Sequence, residues 1–221
     1  RNLGIRAARC PHVAFLDADD FYLPNRFDAA RDIFETNDDV DGVYGAVGTH
    51  FWSEEGRRIY ESRRDGAQKN FGHLTTVRRR VPPECLFYEL APVGSAGHFH
   101  TDGIVVRKST FSRCGLFVES LRQAQDTNLW MRMAAVGRLL PGKIDGPVAM
   151  RGVHAANRTH RRAVASRYLA RAVLEFVPWA VRRDLELAMA DAALRKWLHL
   201  KERNRSRFGD PDRALCQPLL T

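Results

Sequence analysis

The sequence contains no uninterrupted apolar run of about 18 residues, the length at which a helix can cross a bilayer, so no membrane-spanning helix is predicted. The apolar run after Arg1 is also too short for a signal peptide, and we expect a cytoplasmic protein. The four cysteines (Cys10, Cys85, Cys114 and Cys216) are far apart and form no Cys-x-x-Cys pair. A zinc ribbon or a redox dithiol is therefore not expected, and the thiols are predicted to be free in a reducing compartment.

The composition is that of an ordinary folded protein. The 221 residues are 44% hydrophobic and 28% charged, which excludes global disorder, collagen and low-complexity sequence. The net charge of +9 is concentrated in residues 151–207, which contain 14 Lys and Arg against 5 Asp and Glu, while the rest of the chain contains 21 of each sign. A neutral body with a basic C-terminal part indicates one domain with an appendage that has a binding or anchoring surface of its own.

Strand and helix signals alternate along the chain, which is typical of an α/β fold. The predicted strands are 12–16, 41–52 and 103–107, and the predicted helices are 1–9, 26–36, 82–90 and 126–136. The segment Glu54-Glu55-Gly56 predicts a hairpin turn that returns through 57–59, and residues 63–80 predict a mobile loop. Two long helices, 161–176 and 179–203, are predicted on either side of Pro178.

Three carboxylates follow the first predicted strand, in the sequence Asp17-Ala18-Asp19-Asp20. Side chains alternate along a strand, so Asp17 and Asp19 are expected to point the same way. Ligands of open α/β sheets bind beyond the carboxyl ends of the strands, and paired carboxylates there suit Mg²⁺ or Mn²⁺. The alternative is a loop whose Asp residues cap the next helix.

Two segments carry a resemblance to a known family. RNLGIRAARCPHVAFLDADDFYLP contains Arg-Asn-x-Gly, a helix of small residues, an apolar strand, Asp-x-Asp-Asp and a proline four residues after the last Asp. FSRCGLFVESLRQAQDTNLWMRMAAVG contains a Gly-x-Phe turn, then an acidic residue that opens a helix with Trp and Arg. Together they resemble the family 2 glycosyltransferases, which have the GT-A fold.

The resemblance extends over roughly residues 1–160 and implies a GT-A-like (Rossmann-like) mixed sheet flanked by helices. Residues 1–150 would form a glycosyltransferase catalytic domain without the N-terminal strands that bind the nucleotide in this family. Residues 151–221 would form a basic helical C-terminal extension.

The resemblance also implies roles for the donor side. Asp17 would contact the ribose or base of the donor, and Asp19 would bind a Mg²⁺ or Mn²⁺ ion that bridges the donor diphosphate. Arg1 matches an arginine on the nucleotide side, and His154 would complete the metal shell. For His154, an ordinary polar loop residue is the open alternative.

On the acceptor side, Asp126 matches the catalytic base of the family, and Gln125 and Trp130 would be further acceptor-side residues. The family usually has Glu where this chain has Gln125, which leaves some acceptor contacts open. Asp126 also precedes an apolar helix, so a helix N-cap is the alternative role. His98 and His100 are interpreted as loop or acceptor-contact residues, because no third zinc ligand accompanies them.

The implied activity is metal-dependent, inverting transfer of a hexose-type sugar from a nucleotide-diphosphate sugar to an acceptor hydroxyl, in cell-surface polysaccharide or glycolipid synthesis. The expected partners are that donor, a saccharide or lipid-linked acceptor, and an anionic membrane surface at the inner face of the membrane. No nucleic-acid partner is expected.

Two other classes of protein share parts of this sequence pattern. A haloacid-dehalogenase-like phosphatase also places Asp-x-Asp after an apolar strand, but it needs a Thr or Ser soon afterwards, and Asp20-Phe21-Tyr22-Leu23-Pro24 supplies none. A non-catalytic binding module would instead use the arginines of the C-terminal helices for phosphate contacts. Those arginines are Arg161, Arg162, Arg167, Arg171, Arg182 and Arg183.

Overall fold

The computed structural model describes residues 1–62, 77, 79–155 and 162–208. Its helices are α1 (Asn2–Ala7), α2 (Asp28–Thr36), α3 (Glu54–Glu61), α4 (Leu86–Glu89), α5 (Thr110–Cys114), α6 (Gln125–Val136), α7 (Arg162–Val181) and α8 (Leu187–Phe208), with 3₁₀ turns at Pro83–Cys85 and Thr101–Gly103. Its strands are β1 (His12–Ala14), β2 (Phe21–Tyr22), β3 (Gly42–Tyr44), β4 (Ala46–Phe51), β5 (Ile104–Arg107), β6 (Leu139–Pro141) and β7 (Pro147–Val153).

The strands form two mixed sheets. The first has the order β1-β5-β3-β6; β5 is antiparallel to β1 and β3, and β6 is parallel to β3. The second has the order β2-β7-β4, with β2 antiparallel and β4 parallel to β7. The expected α/β fold, a mixed sheet flanked by helices, is confirmed, although the strands divide between two sheets.

The predicted strand 41–52 is in fact two strands, because the chain changes sheets at Gly45. A Cβ atom there would lie 2.9 Å from the Val148 side chain and 3.1 Å from the Lys143 carbonyl oxygen. Only glycine lets the backbone pass so close. The short strand β2, which follows the Asp cluster and pairs with Ala149 and Met150, was not predicted.

The predicted hairpin at 54–59 was wrong, because these residues form helix α3. The Ser53 hydroxyl accepts a hydrogen bond from the Gly56 N–H at 3.0 Å, as an N-cap does. The carboxylates of Glu54 and Glu55, in the first turn, interact favourably with the positive end of the helix dipole. Most of the loop predicted at 63–80 lies outside the described residues.

The predicted helix break at Pro178 was also wrong. Helix α7 runs through Pro178 to Val181, and the chain turns instead near Asp184, whose φ is 53°. Proline inside a helix costs about 3 kcal/mol. The neighbours Phe176 and Trp179 are 0% and 9% exposed, and their burial offsets that cost.

Helix α7 packs against the body of the protein. Phe176 stacks on Phe87 with ring centroids 4.9 Å apart, and the Asn128 side-chain amide of α6 donates to the Ala172 carbonyl of α7 at 2.8 Å. The apolar face of α7, in the basic C-terminal part of the chain, is therefore packed on the body of the protein. The division into 1–150 and 151–221 stays a prediction; in the structure strand β7 crosses that boundary and ends at Val153.

We expect Phe176→Ala to lower the free energy of unfolding by about 3–5 kcal/mol, because it empties a fully buried site between α7 and α4. Urea unfolding followed by circular dichroism measures this loss. Leu187→Ala is the matched control: Leu187 is 82% exposed, and its truncation should change stability by no more than about 0.5 kcal/mol. Equal, small effects of both variants would show that α7 adds nothing to the stability of the core.

Two sequence expectations are answered by the described residues. No helix among them combines the length and hydrophobicity needed to cross a membrane. Cys10, Cys85 and Cys114 are free thiols, as expected, while Cys216 lies outside the described residues.

Candidate active site

A cleft of about 360 Å³ opens beyond the carboxyl end of β1. It is bounded by the Asp-x-Asp-Asp loop (Asp17–Asp20), the loop before β5, the first turn of α6, the end of β7 and helix α7. The side chains that line it are Arg1, Asp17, His98, Phe99, His100, Thr101, Arg122, Gln123, Ala124, Gln125, Asp126, Thr127, Arg151, Ala165 and Leu169. Four predicted site residues (Arg1, Asp17, Gln125 and Asp126) thus meet in one cavity.

Asp17 is fixed by contacts to its side chain and to its backbone. The Arg1 guanidinium donates to both carboxylate oxygens, at 2.5 and 2.6 Å. The Asp17 N–H donates to Asp102 Oδ1 at 3.1 Å. The carboxylate remains 38% exposed to the cleft, so a ligand can still reach it.

Gln125 connects Arg1 to the first turn of α6. With its amide turned to suit both neighbours, Gln125 donates to the Leu121 carbonyl at 3.1 Å and accepts from Arg1 Nη1 at 3.3 Å. Arg1 therefore spans from Asp17 on the loop to Gln125 on the helix.

Asp126 lies in the first turn of α6. The N-cap is Ala124, in the left-handed region with φ 57°, so Asp126 does not cap the helix as the alternative interpretation proposed. Its Oδ1 accepts from the Thr127 N–H at 2.7 Å. The positive end of the helix dipole interacts favourably with a negatively charged carboxylate in this position.

Asp19 and His154 come together from distant parts of the chain. Asp19 Oδ2 and His154 Nε2 are 3.3 Å apart, and their side chains are 43% and 37% exposed. The Trp52 indole N–H donates to the Asp19 carbonyl at 3.0 Å and fixes the loop. Two adjacent ligands of an octahedral Mg²⁺, each at about 2.1 Å, lie about 3 Å apart, so this pair fits a shared cation.

A second, buried group lies behind the loop and was not found by sequence reasoning. One ligand atom from each of Asp20, His100 and Asp102 lies within 4.8 Å of the others, a spacing that could also hold a metal ion. The Asp102 side chain is fully buried, and its Oδ2 lies 3.0 Å from His100 Nδ1. Asp20 Oδ1 accepts from the Gly152 N–H at 2.7 Å and so joins the loop to β7.

Burial controls the protonation of this group. Desolvation, followed by the hydrogen bond to Asp102, raises the pKa of Asp20 to about 8. Desolvation also raises the pKa of Asp102. Burial, together with the nearby positive charge of Arg151, lowers the pKa of His100. At neutral pH the group therefore contains a protonated Asp20 and a neutral imidazole.

Trp130, predicted on the acceptor side, is only 2% exposed. Its ring packs edge-on against Phe15, Phe99 and Phe117 in the main core. Of these residues Phe99 lines the cleft, so Trp130 supports the cleft wall from beneath. Arg151 is a further cleft residue that sequence reasoning missed; its only local signal was its position three residues before His154.

Comparisons with known proteins show a likeness to glycosyltransferases. Residues 1–89 match the model of Glycosyl transferase family 2. An uncharacterized glycosyltransferase of Methanocaldococcus jannaschii is 26% identical over 135 residues, which are 61% of this chain and 40% of that protein.

The fold is also found in solved structures. The crystal structures of S. aureus TarS 1-349, alone and in complex with UDP, have TM-scores of 0.53 and 0.51 at 15% and 17% identity. Each match covers 94% of this chain and 52% or 51% of the TarS chain. The chain thus spans about half the length of these TarS structures and less of the M. jannaschii relative. Sequence and structure together confirm the resemblance to the family 2 glycosyltransferases, and the chain has a GT-A-like α/β fold.

Proposed function

We propose that this protein transfers a sugar, of hexose type, from a nucleotide-diphosphate donor to an acceptor hydroxyl. The observation that carries the proposal is the presence of Asp17 and Asp126, from the loop after β1 and the start of α6, in one cleft. In this proposal Asp17 contacts the donor nucleotide, and Asp126 contacts the acceptor hydroxyl. The UDP complex of the structurally similar TarS supports a uridine diphosphate donor.

In the proposed reaction Asp126 accepts the proton of the acceptor hydroxyl as its oxygen attacks the anomeric carbon. The bond between that carbon and the diphosphate oxygen breaks in the same step, which inverts the anomeric configuration. A single displacement needs no covalent sugar–enzyme intermediate, so one carboxylate base is sufficient. Arg1 lies beside Asp17 and supplies positive charge on the donor side.

We further propose that Asp19 and His154 bind a divalent cation, Mg²⁺ or Mn²⁺. Their 3.3 Å separation and partial exposure fit an ion with open positions for phosphate oxygens. When bound, such an ion neutralises negative charge that develops on the departing diphosphate. The buried Asp20–His100–Asp102 group is the less suitable site, because Asp102 is fully enclosed and has no open face for a diphosphate.

The test of this function is release of UDP from UDP-hexoses. We expect the protein with Mn²⁺ to release UDP from at least one UDP-hexose, and EDTA to reduce the rate by about 10²-fold or more. Restoring Mn²⁺ in excess over EDTA is the control for irreversible inactivation. A rate of UDP release that does not depend on metal would refute the proposed cation. If the protein neither releases nor binds UDP under any condition, the alternative of a non-catalytic binding module is favoured.

We also propose that the acceptor is a saccharide or lipid-linked molecule of cell-surface polysaccharide or glycolipid synthesis, reached at the inner face of the membrane. Three leucines of α8 (Leu187, Leu194 and Leu198) are 82%, 39% and 51% exposed at helical spacing. Lys201 and Arg205 continue the same stripe and are exposed. Such a stripe suits attachment to an anionic bilayer surface.

This attachment predicts that the protein co-sediments with vesicles of phosphatidylcholine plus phosphatidylserine and not with phosphatidylcholine alone. Each basic residue near a charged bilayer contributes about 1 kcal/mol, and salt screens that attraction, so binding should fall as salt rises. The double variant Lys201→Gln/Arg205→Gln should bind the anionic vesicles about tenfold more weakly, or less still. Equal recovery with both vesicle types, or none with either, would refute the attachment.

A further inference from the structure

His100 lies between the cleft and the buried Asp102. Its side chain lines the cleft, and it is 15% exposed. Its Nδ1 lies 3.0 Å from Asp102 Oδ2, and the Asp102 side chain has no exposed surface. Because the Nδ1 edge of the ring faces the interior, the exposed part of the ring is the edge that carries Nε2. Nε2 has no hydrogen-bond partner among the described residues.

Two contacts compete for Nδ1. The Asp102 N–H donates toward Nδ1 at 3.4 Å, which requires an unprotonated Nδ1. Asp102 Oδ2 lies closer, at 3.0 Å, and is a buried oxygen. The Asp20 carboxyl, which also hydrogen-bonds to Asp102, is the other donor beside this carboxylate. A hydrogen bond of 3.4 Å is long and weak, whereas an N–H bond of 3.0 Å to a buried carboxylate is charge-assisted and stronger. The balance therefore favours a proton on Nδ1 that points at Oδ2.

Asp102 is itself fixed, so it can define the orientation of the ring. Its Oδ1 accepts from the Asp17 N–H, and its carbonyl accepts from Arg26 Nε and Nη2 at 2.9 and 2.6 Å. Arg26 is only 6% exposed and lies over the rings of Tyr22 and Phe27. A carboxylate with so little freedom selects one tautomer of its imidazole partner.

We propose that Asp102 holds His100 as the Nδ1–H tautomer, and that His100 Nε2 thereby accepts a hydrogen bond from a sugar hydroxyl in the cleft beside Asp126. This inference rests on the proposed glycosyltransferase function and adds two residues to it. His100 is the hydroxyl-binding group, and Asp102 is its positioning residue.

The tautomer is tested without any substrate. Long-range ¹H–¹⁵N spectra of the ¹⁵N-histidine-labelled protein should show His100 protonated at Nδ1, assigned by its loss in His100→Asn. In Asp102→Asn the new amide can donate to Nδ1, so the signal should move to the Nε2–H form. A wild-type His100 protonated at Nε2 would overturn the proposal, whatever the activity of the protein.

The hydroxyl contact is tested with UDP and with UDP-hexoses. His100→Asn places an amide near the Nδ1 position, so it keeps a partner for Asp102 but removes Nε2. His100→Gln places an amide oxygen near the Nε2 position instead. We expect His100→Asn to lower kcat/KM for UDP release by about tenfold or more, and His100→Gln to restore a measurable part of it. UDP affinity should change by less than about twofold in both variants, because the sugar is absent.

The outcomes separate this inference from the proposed function. If no UDP-hexose is turned over by the wild type, the function fails and the tautomer spectrum alone decides the role of Asp102. If the wild type is active and His100→Asn retains full kcat/KM, the hydroxyl contact is refuted. The hydroxyl contact is supported if His100→Asn lowers kcat/KM as expected and His100→Gln restores part of it. An unchanged melting temperature of His100→Asn shows that this variant is folded.

Discussion

Asp126→Asn should reduce kcat for UDP release by about 10²-fold or more while leaving donor affinity nearly unchanged. Asparagine has the shape of the aspartate, and its side-chain oxygen can still accept the Thr127 N–H bond measured at 2.7 Å. The start of α6 should therefore survive. What is lost is the ability to accept a proton, so the effect belongs to the chemical step.

Two measurements define this result. Initial rates across UDP-hexose concentrations separate kcat from KM, and calorimetry with UDP reports donor affinity directly. Asp145→Asn is the matched control, since Asp145 is exposed and does not line the cleft. Its kcat should equal that of the wild type. Near-normal kcat in Asp126→Asn would mean that another group removes the proton and that Asp126 serves only the helix dipole.

The parts of the site that could be predicted from the sequence are those whose residues are contiguous in the chain. The apolar strand and the Asp-x-Asp-Asp run are contiguous, and their position at the end of β1 follows from the strand itself. Asp126 and the helix behind it are similarly contiguous. That Asp17 and Asp126 share a cleft depended on the resemblance, because no local pattern brings them together.

The missed residues depend on contacts between distant segments. Asp102 precedes an ordinary strand, and nothing near it in the chain indicates that its carboxylate accepts from the Asp17 N–H, 85 positions away. The protonation of Asp20 likewise follows from burial and from Asp102, which are properties of the assembled fold. Sequence reasoning could identify the carboxylates of the loop but not the buried group that holds them.

The wrong predictions have a similar origin. The strand 41–52 reads as continuous because both halves are apolar, and only the close approach of the Lys143 carbonyl to Gly45 shows why the chain leaves one sheet for another. At Pro178 the local rule predicted a break, but burial of Phe176 and Trp179 against the body keeps the helix intact. In both cases tertiary packing overrides a local preference.

Asp19→Ala should abolish UDP release and remove the Mn²⁺ dependence of UDP binding. The substitution deletes one of two groups that lie 3.3 Å apart, and a lone imidazole binds Mn²⁺ weakly. We expect the UDP affinity measured with Mn²⁺ to fall by about tenfold or more, to the value obtained in EDTA. Asp38→Ala, in an exposed turn remote from the cleft, should behave as the wild type.

Calorimetry of UDP with and without Mn²⁺ on four proteins (wild type, Asp19→Ala, His154→Ala and Asp102→Asn) separates the two candidate cation sites. If Asp19 and His154 share the ion, both of their variants lose the metal-dependent part of UDP binding. Asp102→Asn should retain that part, because the asparagine side-chain oxygen can still accept the Asp17 N–H bond that positions the loop. If Asp102→Asn alone loses it, the ion belongs to the buried Asp20–His100–Asp102 group. Unchanged metal-dependent affinity in Asp19→Ala would refute its role as a ligand, since a carboxylate oxygen in direct contact with the ion cannot be removed without weakening it.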